Sequence, residues 1–380
     1  MRTKRIICAI LFIVIVNMTV NTAWATKPKP NIAEWTFMVY MAADNNLDVW
    51  AYESLSYMEA VELTDEVNVV VLWDDYYEPA YMYRVVSGGH ELVIDFPLNG
   101  EEVNTGDPTT LKTFVDFATE KFEAQHYLLD LWNHGNDFDG SCYDEHPEDH
   151  LTHDEVVTAL VGHHIEILAY DACLEAMIEV AYEYNISGMQ TDYLVACENY
   201  VPLDGYPYDT ILDALTKNPK MSALEFAIEI ADNYVEFYET KPESGGAFAT
   251  LSVIDISMVD EAVVELSKLT EALEAKLKEN YELYHKIINL ARSERKLPWA
   301  EYGWEFYIDL PTFVADLEMN LPESDEEIRG LASVVGDALE EVVVHVANSK
   351  LMTAASAMGL GIWFPPSEAS DGASSGILIY

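Results

Sequence analysis

Apolar runs of strand length recur along the first half of the chain, with helix-patterned stretches between them. Trp35 to Ala42 and Val67 to Trp73 are rich in aromatic and β-branched residues, which suits strands covered on both faces. Tyr127 to Trp132 and Ile165 to Tyr170 are similar runs, and Tyr193 to Cys197 is a shorter one. Asp44-Asn45-Asn46 opens a helix after the first run, and Asp107-Pro108 opens another that reaches about Glu123. Tyr81 to Ser87 and Glu91 to Phe96 flank Gly88-Gly89 as a predicted hairpin. Shorter helices are expected from Thr152 to Leu160 and from Leu174 to about Tyr184. Strand and helix in alternation predict an α/β fold with a mostly parallel central sheet and helices on both faces.

The later part reads as mainly helical, over Tyr208 to Leu215, Ser222 to Glu239, Met258 to Leu290, Leu310 to Leu317 and Glu326 to Val346. Strands are expected at Ala247 to Ile256, after Gly245-Gly246, and at Gly359 to Phe364, before Pro365-Pro366.

Two of the runs end in residues with chemistry. One ends in Asn133-His134-Gly135, the other in Asp171-Ala172-Cys173. Parallel α/β sheets carry their sites beyond the C-terminal ends of the strands, so this His and Cys can meet there. A thiol beside an imidazole is a minimal covalent nucleophile pair. Gly135 lets the backbone pass close to a substrate, and its N–H, with that of Cys173, suits a developing oxyanion. A helix starting at Leu174 would add its positive end to the Cys173 thiolate.

The N-terminus has the pattern of a secretory signal: basic Arg2, Lys4 and Arg5, an apolar run from Ile6 to Val16, and the small-x-small site Ala23-Trp24-Ala25. Residues 1–25 are therefore read as a cleaved signal and 26–34 as a Pro-containing linker. An uncleaved segment that anchors the chain is the alternative, and no later run is apolar enough to span a membrane. The formal charge of −47 excludes nucleic acid as a partner, because phosphate binding needs a basic face. Of the 4 cysteines, Cys8 falls in the signal, leaving Cys142, Cys173 and Cys197. An odd number leaves at least one thiol free, and sequence does not decide whether Cys142 pairs with Cys197.

The chain resembles the clostripain family of cysteine endopeptidases, in the caspase-like clan. The resemblance rests on collinear stretches: Trp35-Thr-Phe-Met-Val-Tyr-Met-Ala-Ala-Asp-Asn-Asn-Leu47, Leu131-Trp-Asn-His-Gly135, Asp171-Ala-Cys-Leu174 and Gly205-Tyr-Pro-Tyr208. Thr250-Leu-Ser-Val-Ile-Asp255, Asp309-Leu310 and Gly359-Leu-Gly-Ile-Trp-Phe-Pro365 continue it. It implies a caspase-like α/β/α sandwich over residues 35–366, followed by a tail or edge strand over 367–380. It also implies a Cys173–His134 dyad acting through an acyl-enzyme on polypeptides, with no cofactor needed for the chemistry. Asp171 shares a strand face with Cys173, and the resemblance assigns it to a pocket for Arg or Lys before the scissile bond. Capping of the following helix is the competing reading of Asp171. Asp44, Asn45 and Asn46 are candidates for the cleft floor, though capping accounts for them too. Glu198 and Asp204 are candidates for the pocket rim or for plain acidic surface.

Some members of the family mature by cutting themselves after a basic residue between the two motifs. Residues 122–216 hold no Lys or Arg, so a basic-specific enzyme cannot cut itself there. Members can use calcium, and the acidic loop from Asp137 to Asp154 is a possible place for it, without a recognised calcium-loop pattern. The same loop carries His146, His150 and His153, which would serve a metal-dependent hydrolase. An inactive binding module on a caspase-like scaffold is the third class, and retention of His134, Gly135 and Cys173 argues against it. The physiological substrate and the oligomeric state are not legible in the sequence.

Overall fold

A computed structural model of the protein describes residues 32–241, 248–294 and 306–365. The signal, most of the linker, Gly245-Gly246 and the C-terminal tail lie outside these residues. The chain enters the fold at β1 (Ala33–Ala43), two residues before the sequence-based start, and passes into α1 (Asp48–Glu59). It continues through β2 (Val67–Asp75), β3 (Tyr81–Val86), β4 (Gly89–Leu92), α2 (Pro108–Lys121) and β5 (Ala124–Trp132). Then come β6 (Ser141–Glu145), β7 (Glu148–Leu151), α3 (His153–Leu160), β8 (Ile167–Asp171), α4 (Ile178–Ile186) and β9 (Tyr193–Ala196). Next are α5 (Tyr208–Lys217), α6 (Ala223–Glu239), β10 (Thr250–Asp255), α7 (Val259–Glu279) and α8 (Tyr281–Glu294). The last elements are β11 (Tyr307–Asp309), α9 (Leu310–Asn320), α10 (Glu326–Val342), β12 (Val343–Asn348), α11 (Lys350–Ala354) and β13 (Gly361–Trp363).

The main sheet has the order β12-β10-β9-β8-β5-β1-β2-β3-β4. Its centre, from β9 to β2, is parallel, and the flanking pairs are antiparallel. The parallel strands bury both faces. Met38, Tyr40 and Ala42 of β1 pack with one set of helices, including α2, α4, α7 and α10. Trp35, Phe37, Val39 and Met41 face α1, α5 and α6 on the other side. Period-two alternation therefore separates two cores rather than core from solvent, which is why these runs are continuously apolar. β1 lies between β2 and β5, so connections leave it in opposite directions and open a crevice at its C-terminal end. No helix among the described residues is long and apolar enough to cross a membrane.

Several expectations change. The acidic stretch after His134 holds the β6–β7 hairpin, where alternating charged residues hid a strand pattern. The helix after Cys173 begins at Ile178, not Leu174. The region read as helix through Val346 splits at Val342, and β12 pairs with β10 because its run of valines fits an edge ladder better than a helix. Met258 to Leu290 is two helices, broken at Asn280 with φ −149° and ψ 81°. The predicted Glu91–Phe96 strand is β4, beginning two residues earlier and ending at Leu92.

Phe226 of α6 is fully buried with ring centroids 5.1 Å from Trp35 and 6.2 Å from Phe37. Phe226→Ala should lower unfolding free energy by about 3–5 kcal/mol in chemical denaturation. Tyr77→Ala, at an exposed loop position, should change it by about 0.5 kcal/mol or less.

Candidate active site

The parallel register pairs Trp132 of β5 with Asp171 of β8. The residues that follow, Asn133-His134-Gly135 and Ala172-Cys173, therefore leave the sheet side by side. The Asn133 N–H continues the ladder by donating to the Asp171 carbonyl at 3.3 Å. The tip of β1 closes the group from the other side. Asn133 and Asn45 both donate through Nδ2 to the carbonyls of Ala42 and Tyr143, tying β1, β5 and β6 together. Asn46 Oδ1 lies 2.8 Å from His134 Nε2. An amide oxygen only accepts, so Nε2 carries the hydrogen and Nδ1 is left as the basic nitrogen. Sequence reading left Asn46 between cleft floor and helix cap; the structure puts it against the His134 ring.

Cys173 sits on a tight turn. Leu174, the next residue, has φ +65°, a left-handed conformation uncommon for a branched residue. The turn is held by Leu174 N–H to the Asn199 carbonyl at 2.9 Å and Ala176 N–H to the Cys197 carbonyl at 3.1 Å. The residues around it from Asp171 to Ile178 are buried, but Cys173 is part-exposed. Gly135 is placed where a Cβ would meet the Cys173 carbonyl and Glu175 Oε1, each at 2.5 Å. Only a glycine allows the two tips to come this close.

The expected helix-dipole support for a thiolate is absent, because α4 starts five residues beyond Cys173 and the dipole acts over about one turn. Burial instead pushes the Cys173 thiol up to about 11, with Glu175 and Asp171 adding to the effect. Burial also lowers the His134 imidazole. Both shifts favour a neutral thiol beside a neutral imidazole over a preformed ion pair.

His134, Gly135, Asp171 and Cys173 line one cavity of about 400 Å³, closed by Trp50, Trp132 and the segment from Tyr200 to Gly205. Asp171 is buried and does not cap a helix. Its Oδ2 accepts from Tyr206 N–H at 2.9 Å and lies 3.0 Å from Tyr208 Oη, whose one proton is shared with Asp130, while Oδ1 has no hydrogen-bond partner. Gly205, with φ +63°, would place a Cβ 2.7 Å from Asp171 Oδ2, so its lack of a side chain lets the loop wrap the carboxylate. Asp130 lies behind: its Oδ1 accepts the Asp171 N–H and its Oδ2 accepts Tyr208 Oη at 2.6 Å. Burial, then the Asp130 charge, raises Asp171 well above the usual carboxylate range.

Other candidates lie elsewhere. Glu198 is neither rim nor surface; it is fully buried against Asp309, and burial raises its carboxyl strongly. Burial raises Asp309 as well, though its carboxyl accepts from the Thr312, Met358 and Gly359 N–H groups, which work against the rise. Asp204 is tied to Lys241 at 2.6 Å, next to the pocket loop. Cys142 and Cys197 are both buried free thiols, not a pair.

The three histidines do not converge as metal ligands. His146 Nδ1 meets Asp44 at 3.0 Å, His150 Nε2 meets the Asp139 carbonyl at 3.0 Å, and His153 is buried between Tyr184 Oη and the Asp137 carbonyl. His153 also lies 3.4 Å from Glu175, but burial lowers the imidazole to about 4 and raises the carboxyl, so the contact joins neutral groups. Among the described residues, the group of possible oxygen ligands that does form is Asp44, Asp74 and Asp144. Sequence reading missed Tyr206, Tyr208, Asp130, Asp74 and Glu175. Only the Tyr206 and Tyr208 stretch carried a signal, as part of a motif without a role.

The profile of the clostripain family matches residues 39–370. Clostripain from Hathewaya histolytica is 27% identical over 227 residues, covering 47% of this chain and 42% of that protein, so the match spans less than half of the curated relative. A secreted C11 cysteine protease from Bacteroides thetaiotaomicron, solved with an irreversible peptide inhibitor, is 17% identical with TM-score 0.65, over 89% of this chain and 95% of that one. An inactive zymogen C11 protease from Parabacteroides distasonis is 18% identical with TM-score 0.65, over 89% of this chain and 94% of that one. These structures carry the caspase-like fold. With a family match over most of its length and this fold, the chain belongs to the clostripain family of cysteine peptidases.

Proposed function

We propose that this chain is a secreted endopeptidase that cleaves polypeptides after Arg or Lys, with Cys173 as nucleophile and His134 as general base and acid. The observation that carries the specificity is Asp171 Oδ1, a carboxylate oxygen without a partner on a residue that lines the cavity beside Cys173. A guanidinium or ammonium entering there completes its hydrogen bonding, whereas an apolar side chain leaves a buried carboxylate unpaired.

The reaction starts from the neutral pair. His134 Nδ1 takes the thiol proton as Cys173 Sγ attacks the scissile carbonyl, so proton transfer accompanies attack. Backbone N–H groups of Gly135 and Cys173 stabilise the tetrahedral oxyanion. The His134 imidazolium gives its proton to the leaving amine as the C–N bond breaks, leaving a thioester on Cys173. Water then attacks the thioester with His134 as base, and the acid product and free thiol are released. Asn46 keeps the Nε2–H oriented throughout. Secretion rests on the basic, apolar and small-x-small succession of the first 25 residues.

Three outcomes are expected. With fluorogenic peptides ending in Arg, Lys, Asp, Asn or Leu, cleavage should follow Arg or Lys only and vanish in Cys173→Ala. Asp171→Asn should lower kcat/KM on the Arg peptide by about 100-fold or more, with the loss confined to basic substrates. Cleavage of the Leu or Asp peptide by the wild type would sink the pocket assignment.

The pH dependence follows from the raised Asp171 carboxyl. It must lose its proton to pair with a guanidinium, so kcat/KM for Arg peptides should rise as pH increases from neutral to mildly alkaline. Asp171→Asn should lose that acid limb while retaining slow turnover. A profile that is flat above pH 6 in the wild type would contradict the buried-carboxyl account.

Finally, activity should reside on a chain uncut between the His134 and Cys173 motifs, since residues 122–216 hold no basic residue. Mass spectrometry of the active-site-labelled enzyme should find both residues on one polypeptide. A cut within that interval made by the purified enzyme itself would contradict Arg/Lys specificity.

A further inference from the structure

The buried half of β5 carries one ionisable residue, Asp130, within Leu128-Leu129-Asp130-Leu131-Trp132. It is fully buried, it does not line the cavity, and the chemistry at Cys173 does not use it. An acid in the middle of a sheet is costly unless its oxygens are bonded and its charge is answered. Both oxygens of Asp130 are bonded, and both bonds lead to Asp171. Oδ1 accepts the Asp171 N–H at 3.1 Å, and Oδ2 accepts from Tyr208 Oη, which also stands 3.0 Å from Asp171 Oδ2.

A phenol has one proton to donate. Tyr208 lies closer to Asp130, at 2.6 Å against 3.0 Å, so that proton serves Asp130 first. With two donors, Asp130 is the better held carboxylate. Asp171 keeps the Tyr206 N–H and an open Oδ1. The other titratable groups facing the pair are Tyr206, Tyr234 and Tyr238, with the thiols of Cys142 and Cys173. His134 lines the same cavity, and Lys241 is engaged by Asp204 on the pocket loop. Among the described residues, no cation acts on either acid of the pair.

We propose that Asp130 is a positioning residue for substrate selection, which supplies the second negative charge of the specificity pocket from behind Asp171. The proposal rests on the pocket reading of Asp171 given above. Two adjacent carboxylates ionise together only when a cation stands beside them or the pH is raised. Burial and the Asp130 charge raise Asp171, which therefore holds its proton in the empty pocket near neutral pH. A guanidinium or ammonium arriving at Asp171 Oδ1 releases that proton to solvent and then faces two carboxylates instead of one. Basic side chains therefore bind more tightly as pH rises, and Asp130 sets both the pH of the change and part of the final affinity.

The test uses the full chain carrying Cys173→Ala, which binds without turnover, and a peptide amide ending in Arg. Isothermal titration calorimetry across neutral pH, in buffers of different ionisation heat, reads affinity and released protons. In the parent, affinity should rise by up to about tenfold per pH unit, with up to about one proton released per peptide. Asp130→Asn should move that rise to lower pH by about one unit or more, release fewer protons at neutral pH, and weaken the alkaline plateau about fivefold or more. A residue that only shaped the pocket would weaken binding at every pH and leave the rise in place, and that result would overturn the proposal. Should Asp130→Asn fail to fold, Asp130→Ser takes its place with the same expectations. Asp171→Asn, measured alongside, should lose both the rise and the preference for the Arg peptide over a Leu peptide. If it does so while the Asp130 variant keeps the parent's rise, the role of Asp130 alone is overturned. If the parent shows no preference for Arg, the pocket reading fails and this inference fails with it.

Discussion

The register of two neighbouring parallel strands governs the site. Because Trp132 stands opposite Asp171, the chain emerges from β5 and β8 with His134 and Cys173 next to one another. A shift of one residue would turn both side chains toward the opposite core and also misplace Asp130 and Asp171, which belong to the same ladder. Gly135 makes the approach sterically possible, and the left-handed turn at Leu174 lifts Cys173 out of an otherwise buried segment. That turn is held by hydrogen bonds to the Asn199 and Cys197 carbonyls, just beyond the end of β9.

Electrostatics supply a second theme. The chain has a formal charge of −47, and several of its carboxylates are deeply buried. The interior treats them differently. Burial raises both carboxyls of the Asp309–Glu198 pair, and N–H donors work against the rise at Asp309. Asp130 and Asp171 are linked through Tyr208, and one oxygen of Asp171 has no hydrogen-bond partner. A buried acid that lacks partners is costly, and Asp171 and Asp74 both carry oxygens without a hydrogen-bond partner. Asp171 borders the cavity beside Cys173, and Asp74 lies near the end of β2.

Local chemistry was legible where a single pattern dominated. Buried strands appeared as unbroken apolar runs, and Asp107-Pro108 announced its helix through a residue that the structure shows capping. Legibility failed where charge concealed period two, as in the β6–β7 hairpin, and where a valine-rich segment continued a helical pattern, as in β12. The start of α4 was misplaced because residues 174 to 177 have no helix breaker, and only their bonds to the β9 side hold them off helix.

The sequence by itself determined most of the elements, the parallel centre of the sheet and the placing of a His and a Cys at the tips of neighbouring strands, because periodicity and turn chemistry are local. Tertiary structure decided the charge states and the partners. Burial raised the Cys173 thiol, placed Asn46 on His134, removed Glu198 from the cleft, and gathered Asp44, Asp74 and Asp144 from three separate elements. Desolvation and convergence of distant carboxylates depend on which surfaces meet, and that is fixed only when the strands take their register.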